Sequence, residues 1–558
     1  MRAKLSPSCN HSSLLLPFAA LLFAMVCGGC SDDAKPRETT PEAPGCRGHM
    51  IPTQTIGNWD VVPFQRFSGT FEVGVVGFHE EGLDVVFSVN GQEVTTVEEP
   101  TLNPRTGVYE YWFSLEATDF ADGAVTVSAT LIPDCEGHIL RELSPLTLYA
   151  NSTGSLTNNT IMWADCESGD DTSGDGSEAL PFQTIERAFV EVGSGGTVNL
   201  KAGTCYALTN QLESAGYDLW TTVRAAPGVP REAVSILTYG PDEDLSTGRF
   251  GEDMVRWQNV RLYKDVEPGY SNVFYFESGH HVWFDGAELF DARGQWNGGT
   301  LLNGNSPYYA YYTGATIRDI QNSGYSFGRD VVMENIGSDV FRGSSGIMSV
   351  NLTVLGIDSG TTDAHPDFFQ FYNPDALVDN VVVYNTLVYD MGAQGIFGGP
   401  GQMANVAFVN LLMEKDPADS ALISQITGDW DHVLLWHVTT VDSGFFLRET
   451  AQLSNFFIQN CVFSTLHAGD ATELPTFTME HNHVAGLVWD QPYPMGLYPS
   501  VGDPLYADES ADDYHLTGES PAHHAGAPLP GVPADVEGTL YHTGTPSLGC
   551  FASEDSPQ

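Results

Sequence analysis

The sequence predicts an all-β chain: an antiparallel β-sandwich followed by a long β-solenoid. Three observations lead there. One short phrase, four β-prone residues between polar or glycine ends, is written six times: Asp330-Val-Val-Met-Glu-Asn335, Asn351-Leu-Thr-Val-Leu-Gly356, Asn380-Val-Val-Val-Tyr-Asn385, Asn405-Val-Ala-Phe-Val-Asn410, His432-Val-Leu-Leu-Trp-His437 and Asn455-Phe-Phe-Ile-Gln-Asn460. Their starts lie 21, 29, 25, 27 and 23 residues apart, a period near 25 that marks a solenoid with loops of unequal length. Ahead of them, residues 46–155 hold short alternating runs such as Leu83–Val89, Tyr109–Leu115 and Ala124–Leu131, with the hairpin signal Asn90-Gly91 between two of the runs. The composition agrees. With 58 glycines and 42 % hydrophobic residues the chain is folded and turn-rich, and 558 residues exceed one compact core.

Stacked in register, the phrases put Asn over Asn at both edges of one strand, where side-chain amides hydrogen-bond along the stack. The pattern resembles the right-handed parallel β-helix of the pectate-lyase-like superfamily, over roughly residues 160–552. The opening resembles that of secreted β-helix proteins: a loop from Asp165 to Gly176, a short amphipathic segment Pro181–Phe189, then Gly195–Tyr206. Ile185, Ala188, Phe189 and Val192 share one helical face. A helix there would cover the unpaired edge of the solenoid's open end. The loop's Asp165, Glu167, Asp170, Asp171 and Asp175 read either as a solvated acidic loop or as oxygen ligands for Ca²⁺. The segment from Asp503 to Gly526 resembles the closing segment of bacterial β-helix proteins, and His523 and His524 within it read as structural. Residues 46–155 resemble an Ig-like module and read as a spacer or binding domain.

The first 30 residues read as a targeting segment: basic Arg2 and Lys4, an apolar run Leu14–Cys27, and small residues before Cys30. They resemble a bacterial lipoprotein signal, which implies lipidation of Cys30, a tether over 31–45 and a place in the bacterial cell envelope. Cleavage without lipidation, giving a secreted protein, stays open, because Cys27 stands where an aliphatic residue is usual. Six cysteines remain, and an even number outside the cytoplasm favours disulfides. The expected pairs are Cys46–Cys135 and Cys166–Cys205, with Cys461 and Cys550 as buried thiols. With 22 Lys+Arg against 72 Asp+Glu the formal charge is −50, and only five residues are lysine. Such a surface repels nucleic acid and anionic membranes, so the expected contact with a membrane is through the lipid alone, and a monomer is expected.

The longest step between phrases, from Asn351 to Asn380, contains Asp363, His365 and Asp367. Alignment by rung sets Asp367 beside Asp339 and near Gln394, with Arg342 beside Gln370. Polar groups from separate rungs would then meet on one side of the solenoid, about 4.8 Å apart, where the sugar enzymes of the resembled superfamily carry their sites. A lyase acting on a uronic acid needs a base and a cation to steady the enolate. His365 suits the first role, and Arg342, or Ca²⁺ held by Asp363 and Asp367, suits the second. The superfamily's lyases use Lys or Arg for proton transfer, and lysine is scarce here. A glycoside hydrolase needs two carboxylates, for which Asp339, Asp363, Asp367 and Asp390 are candidates, although the polygalacturonase motifs are missing. Gln370, Gln394 and the tyrosine-dense segment with Tyr308, Tyr309 and Tyr311 are the expected sugar contacts, by hydrogen bonding and by stacking. The expectation is therefore a surface-tethered carbohydrate-active protein on a polysaccharide or cell-surface glycan, first a polysaccharide lyase. A non-catalytic glycan-binding or adhesion protein and a hydrolase with paired Asp are the alternatives. His432 and His437 replace Asn at ladder positions and read as structural.

Overall fold

The computed structural model describes residues 52–205, 212, 216–238, 253–265, 274–276, 281–294, 302–304, 309–320, 327–358, 366–371, 377–399, 401–416, 424–447, 452–468, 477–486 and 499–553. The segments expected to hold the signal, Cys30 and the tether lie outside them, as do Asp363, His365 and Tyr308. All the described residues belong to one compact unit, Gly45–Gln558.

The sandwich has two sheets. One orders Ile56–Trp59, Thr70–Phe78, Tyr109–Glu116 and Thr101–Leu102; the other orders Arg66–Phe67, Leu146–Ala150, Gly123–Pro133, Leu83–Val89 and Gln92–Val97. Alternation decides which side faces inward: Leu83, Val85, Phe87 and Val89 are buried and the residues between them are partly exposed. Asn90 and Gly91 both adopt positive φ, 50° and 79°, as a two-residue hairpin of the right twist requires.

The solenoid is one 25-stranded parallel sheet running from Ile161–Ala164 to Ser500–Val501 and wound into a β-helix. From residue 327 onward each full rung shows three faces. Val381–Tyr384, Val406–Val409 and Val433–Trp436 stack on the first, Thr386–Val388, Leu411–Met413 and Val438–Thr440 on the second, and Gln394–Gly398, Ser424–Ile426 and Phe445–Leu447 on the third. The corners between the first two faces turn through left-handed residues: Asp330, Asn351, Asn385, Asn410, His437 and Asn460 all have φ between 52° and 56°. Asn, Asp and His tolerate that region better than other side chains. Their side chains form the ladder: Asn351 donates to Asp330 (2.9 Å), Asn385 to Asn351 (3.2 Å) and Asn410 to Asn385 (2.9 Å), and Asn460 bonds His437 (3.1 Å).

This corrects the alignment of the six phrases. Asp330 and Asn351 stand over Asn385, not over Asn380. The first two phrases therefore frame the second face and the other four frame the first. The unit is five residues, a left-handed corner followed by four extended residues, and a rung repeats it. Asn380-Val-Val-Val-Tyr-Asn385-Thr-Leu-Val-Tyr-Asp390 has positive φ at all three polar positions, 62°, 54° and 50°.

A second correction concerns the sandwich, which is no free-standing spacer. It packs sideways on the first face of the solenoid. Ile56, Val76, Phe78 and Val108 share a buried cluster with Met348, Val350, Val382, Tyr384, Ala407, Val409, Leu434, Trp436 and Phe457. Strands buried on both sides read as continuous apolar runs, which is why Val-Val-Val-Tyr and Val-Leu-Leu-Trp lack alternation. Polar clamps frame the contact. Asn380 trades two 2.9 Å hydrogen bonds with the Gly57 backbone, Arg141 meets Asp379 at 3.2 Å and Arg329 meets buried Asp60 at 2.6 Å.

At the opening end, helix Ile185–Val192 buries Ile185, Ala188, Phe189 and Val192, and Thr184 caps it by accepting from the Arg187 amide. The preceding loop uses its carboxylates on its own backbone: Asp165 accepts from the Glu167 and Ser168 amides, Asp170 from Thr172 and Ser173, Asp171 from Gln183 and Thr184, and Asp175 from Ser177. Those of Asp165, Asp170 and Asp175 are Asx turns, and Asp171 reaches across to the start of the helix. Cys166 and Cys205 form a disulfide. Cys135 is disulfide-bonded and its expected partner, Cys46, lies outside the described residues. Cys461 and Cys550 are free and buried. The closing segment returns along the ladder, where Tyr541 stacks on His437 at 4.2 Å and donates to Asn410.

Candidate functional site

The third face carries the convergence of polar groups. Its strands Phe341–Arg342, Asp367–Phe371 and Gln394–Gly398 pair in parallel, with Arg342 beside Gln370 and Asp367 beside Gln394. The Val340 amide donates to the Asp367 carbonyl at 3.0 Å, which puts Asp339 one rung from Asp367. Inward-pointing Phe341, Phe369 and Ile396 belong to the solenoid core and fix the register. Arg342, Asp339, Asp367, Gln370 and Gln394 thus meet in one place. Asp390 does not join them, because it is an exposed left-handed corner residue.

Both carboxyl groups are nearly covered, each residue 1 % exposed. Arg342 Nε donates to Asp339 Oδ2 at 2.7 Å, and Gln370 Nε2 donates to Asp367 Oδ2 at 2.8 Å. Asp367 Oδ1 and Gln394 Oε1 are buried and have no hydrogen-bond partner among the described residues. Burial and then the neighbouring Asp339 charge push the Asp367 carboxyl up to about 8. Burial also raises Asp339, but Arg342 opposes it through a hydrogen bond and its charge, helped by the Asp367 backbone and Ser338. Burial therefore favours the protonated form of Asp367, while the guanidinium favours charge on Asp339; environments that push two carboxyls apart in this way make an acid–base pair.

The same face extends past the pair. Register places Arg342, Gln370, Phe397, Gln425, Phe446 and His467 one above another on six successive rungs. Phe397, Phe446 and His467 are partly exposed, and the rings of Phe446 and His467 lie 4.1 Å apart. Polar groups alternating with ring faces suit a sugar chain laid along the axis. The repeat of the phrases does not reveal this stripe, because the distance from the left-handed corner that ends the second face to the stripe varies: seven residues from Asn335 to Arg342, fourteen from Gly356 to Gln370 and four from Asp442 to Phe446. Its signal is the spacing of its members, 28, 27, 28, 21 and 21 residues.

The tyrosines lie elsewhere. Tyr311 is on the first face, buried among Trp220, Trp283 and Val62 beneath the sandwich, so it has no ring face to offer a sugar. Tyr309 is 41 % exposed and stacks on His281 at 4.5 Å, on the same face as Tyr311 and away from the carboxyl pair. For Ca²⁺, Asp367 is the described member of the expected pair and Asp363 lies outside the described residues. Among the described residues the cluster with the spacing of metal ligands is a different one, His79, Glu80 and His138.

No protein-family model matches the chain, and no curated protein matches it. Among solved structures it is similar to a pectate lyase, Pel9A, with TM-score 0.32 and 14 % identity over 72 % of this chain and 98 % of that one. It is also similar to a rhamnogalacturonan lyase, with TM-score 0.30 and 14 % identity over 62 % of this chain and 87 % of that one.

Proposed function

We propose that the chain is an enzyme that cleaves glycosidic bonds of a polysaccharide lying along the third face, with Asp367 as proton donor and Asp339 as its ionised partner. The observation that carries this reading is the buried carboxyl pair on adjacent rungs, Asp339 bonded to Arg342 at 2.7 Å and Asp367 bonded to Gln370 at 2.8 Å, with burial and the Asp339 charge pushing Asp367 up to about 8. Protonation of the leaving glycosidic oxygen needs an acid still protonated at working pH, and Asp367 meets that need. Asp339 supplies negative charge on the same side, to attack or to stabilise the oxocarbenium-like centre. The stripe from Gln370 to His467 would hold the polymer by hydrogen bonds and ring stacking.

A second reading is elimination from a uronate polymer. Arg342 favours it, because its side chain is 58 % exposed and can meet a substrate carboxylate. The formal charge of −50 favours the first reading, since an acidic polymer would be repelled. Anchoring at the cell envelope through Cys30 belongs to the same proposal, as the means of holding the enzyme near polymer outside the cell.

The test is a panel of neutral and acidic polysaccharides, with and without Ca²⁺, read for new reducing ends and for the absorbance of unsaturated uronates. Reducing ends alone support hydrolysis, and reducing ends with absorbance support elimination. Absence of both, with binding equal in the wild type and in Asp367→Asn, would leave a glycan-binding protein and defeat the catalytic reading.

A further inference from the structure

Three histidines and one glutamate converge where the sandwich meets the solenoid. His79 and Glu80 follow the strand Thr70–Phe78, and His138 comes from the loop after Gly123–Pro133. His432 is a first-face corner of the solenoid, where other rungs carry Asn. His79, Glu80 and His432 are at most 1 % exposed. His79 Nε2 lies 3.4 Å from Glu80 Oε2, and His138 Nδ1 lies 3.7 Å from Glu80 Oε1. The Thr53 hydroxyl is 3.0 Å from His79 Nε2, 2.7 Å from His138 Nδ1, and bonded to Glu80 Oε1.

We propose that His79 Nε2, Glu80 and His138 Nδ1, all carried by the sandwich, bind one divalent ion of the zinc class, with the Thr53 hydroxyl as a fourth donor, and that His432 of the solenoid holds the ligating Glu80 in place. Ligands about 2.0–2.1 Å from tetrahedral zinc stand roughly 3.3 Å from one another; the gaps from His79 Nε2 to Glu80 Oε2, 3.4 Å, and from His138 Nδ1 to Glu80 Oε1, 3.7 Å, lie just above that edge, and the Thr53 hydroxyl, 3.0 and 2.7 Å from the two ring nitrogens, shifts outward when the ion enters. Two imidazoles with one carboxylate suit zinc-class metals and not Ca²⁺, which takes all-oxygen sets.

The Thr53 amide points at His138 Nδ1 at 3.2 Å, which assigns the lone pair to that nitrogen. His79 Nδ1 accepts from the Glu81 amide at 3.2 Å. On loading, the ring proton moves from Nε2 to Nδ1 and that contact is lost.

His432 is a positioning residue. Asn405 Nδ2 donates to Asp379 at 2.6 Å, which turns Asn405 Oδ1 toward His432 Nδ1 at 3.0 Å. His432 Nε2 then holds Glu80 Oε2 at 2.9 Å. Partners of this kind orient a ligating carboxylate, and their loss weakens metal binding about 10–100-fold. The solenoid thereby aims a ligand that the sandwich carries.

The full chain, stripped with a chelator and dialysed, should take up one equivalent of Zn²⁺ by elemental analysis and melt at a higher temperature in its presence. Added Co²⁺ should give visible bands of a four-coordinate ion. His138→Gln, a change in a loop, should abolish uptake and bands while keeping the far-UV circular dichroism. His432→Asn should keep the stoichiometry and weaken affinity about 10–100-fold. A wild type that takes up neither ion and shows no thermal response overturns the proposal and leaves a cluster closed by protons alone. So does uptake that is unchanged in His138→Gln and in the double variant His79→Gln/His138→Gln.

Discussion

A covered carboxyl that keeps its proton carries a signature in both activity and stability. Folded Asp367 holds its proton up to about pH 8, whereas the ordinary aspartate value is 3.8. Between those values the native state binds one proton more than the unfolded chain, so stability falls as pH rises through that window. Asp367→Asn has no proton to lose. It should flatten that fall, so that the variant melts no lower than the wild type at pH 8, while cleavage drops about 10²–10⁴-fold. A variant that loses activity and melts lower at every pH would show a packing role instead. Arg342 gives a finer test, because its charge lowers both carboxyls. Arg342→Gln should move the alkaline limb of the pH–rate profile upward. Loss of the guanidinium also leaves the buried Asp339 carboxyl without its donor, so stability should fall by about 1–3 kcal/mol. A limb that stays in place would remove Asp367 from the acid's role.

At the scale of the element, the ladder decides how much of a rung one residue can cost. Asn410 is fully buried at φ 53°, donates to Asn385 and to the Ala534 carbonyl, and accepts from Tyr541. Asn410→Ala should cost about 2–4 kcal/mol, combining the left-handed penalty with orphaned buried groups, read from denaturant unfolding. A loss under about 0.5 kcal/mol would mean that the ladder is decoration. The ladder is also the element the sequence states most openly, because few residue types accept a left-handed corner. That made the solenoid legible from Asn, Asp and His alone. The same chemistry hid the register, since Asn385 ends one unit and begins the next, and two kinds of corner read alike. The carboxyl pair was legible because Asp339 and Arg342 keep the three-residue offset of Asp367 and Gln370. Phe397, Phe446 and His467 were not, since the number of residues between the last left-handed corner and the third face changes from rung to rung. The His79 cluster was hidden for another reason: the sandwich fold brings His138 to His79 and Glu80 from a separate loop, and docking adds His432 from 353 residues away.

Across the whole molecule, that docking makes two folds into one cooperative object. A first face apolar on its outer side needs a cover, since exposed patches of that kind bind or aggregate. The sandwich supplies it with Phe78, which is 2 % exposed and meets Tyr384 and Trp436 edge-on at 5.3 and 6.4 Å. Phe78→Ala should cost about 3–5 kcal/mol although the residue lies outside the solenoid. The loss should appear as one lowered transition, followed alike by solenoid tryptophan fluorescence and by sandwich backbone exchange. A spacer on a flexible joint would behave otherwise: the sandwich would melt early and the solenoid transition would stay where it was. Two separate transitions in Phe78→Ala would therefore sink the shared core. A single one would mean that the sandwich and the solenoid that carries Asp339 and Asp367 unfold as one unit.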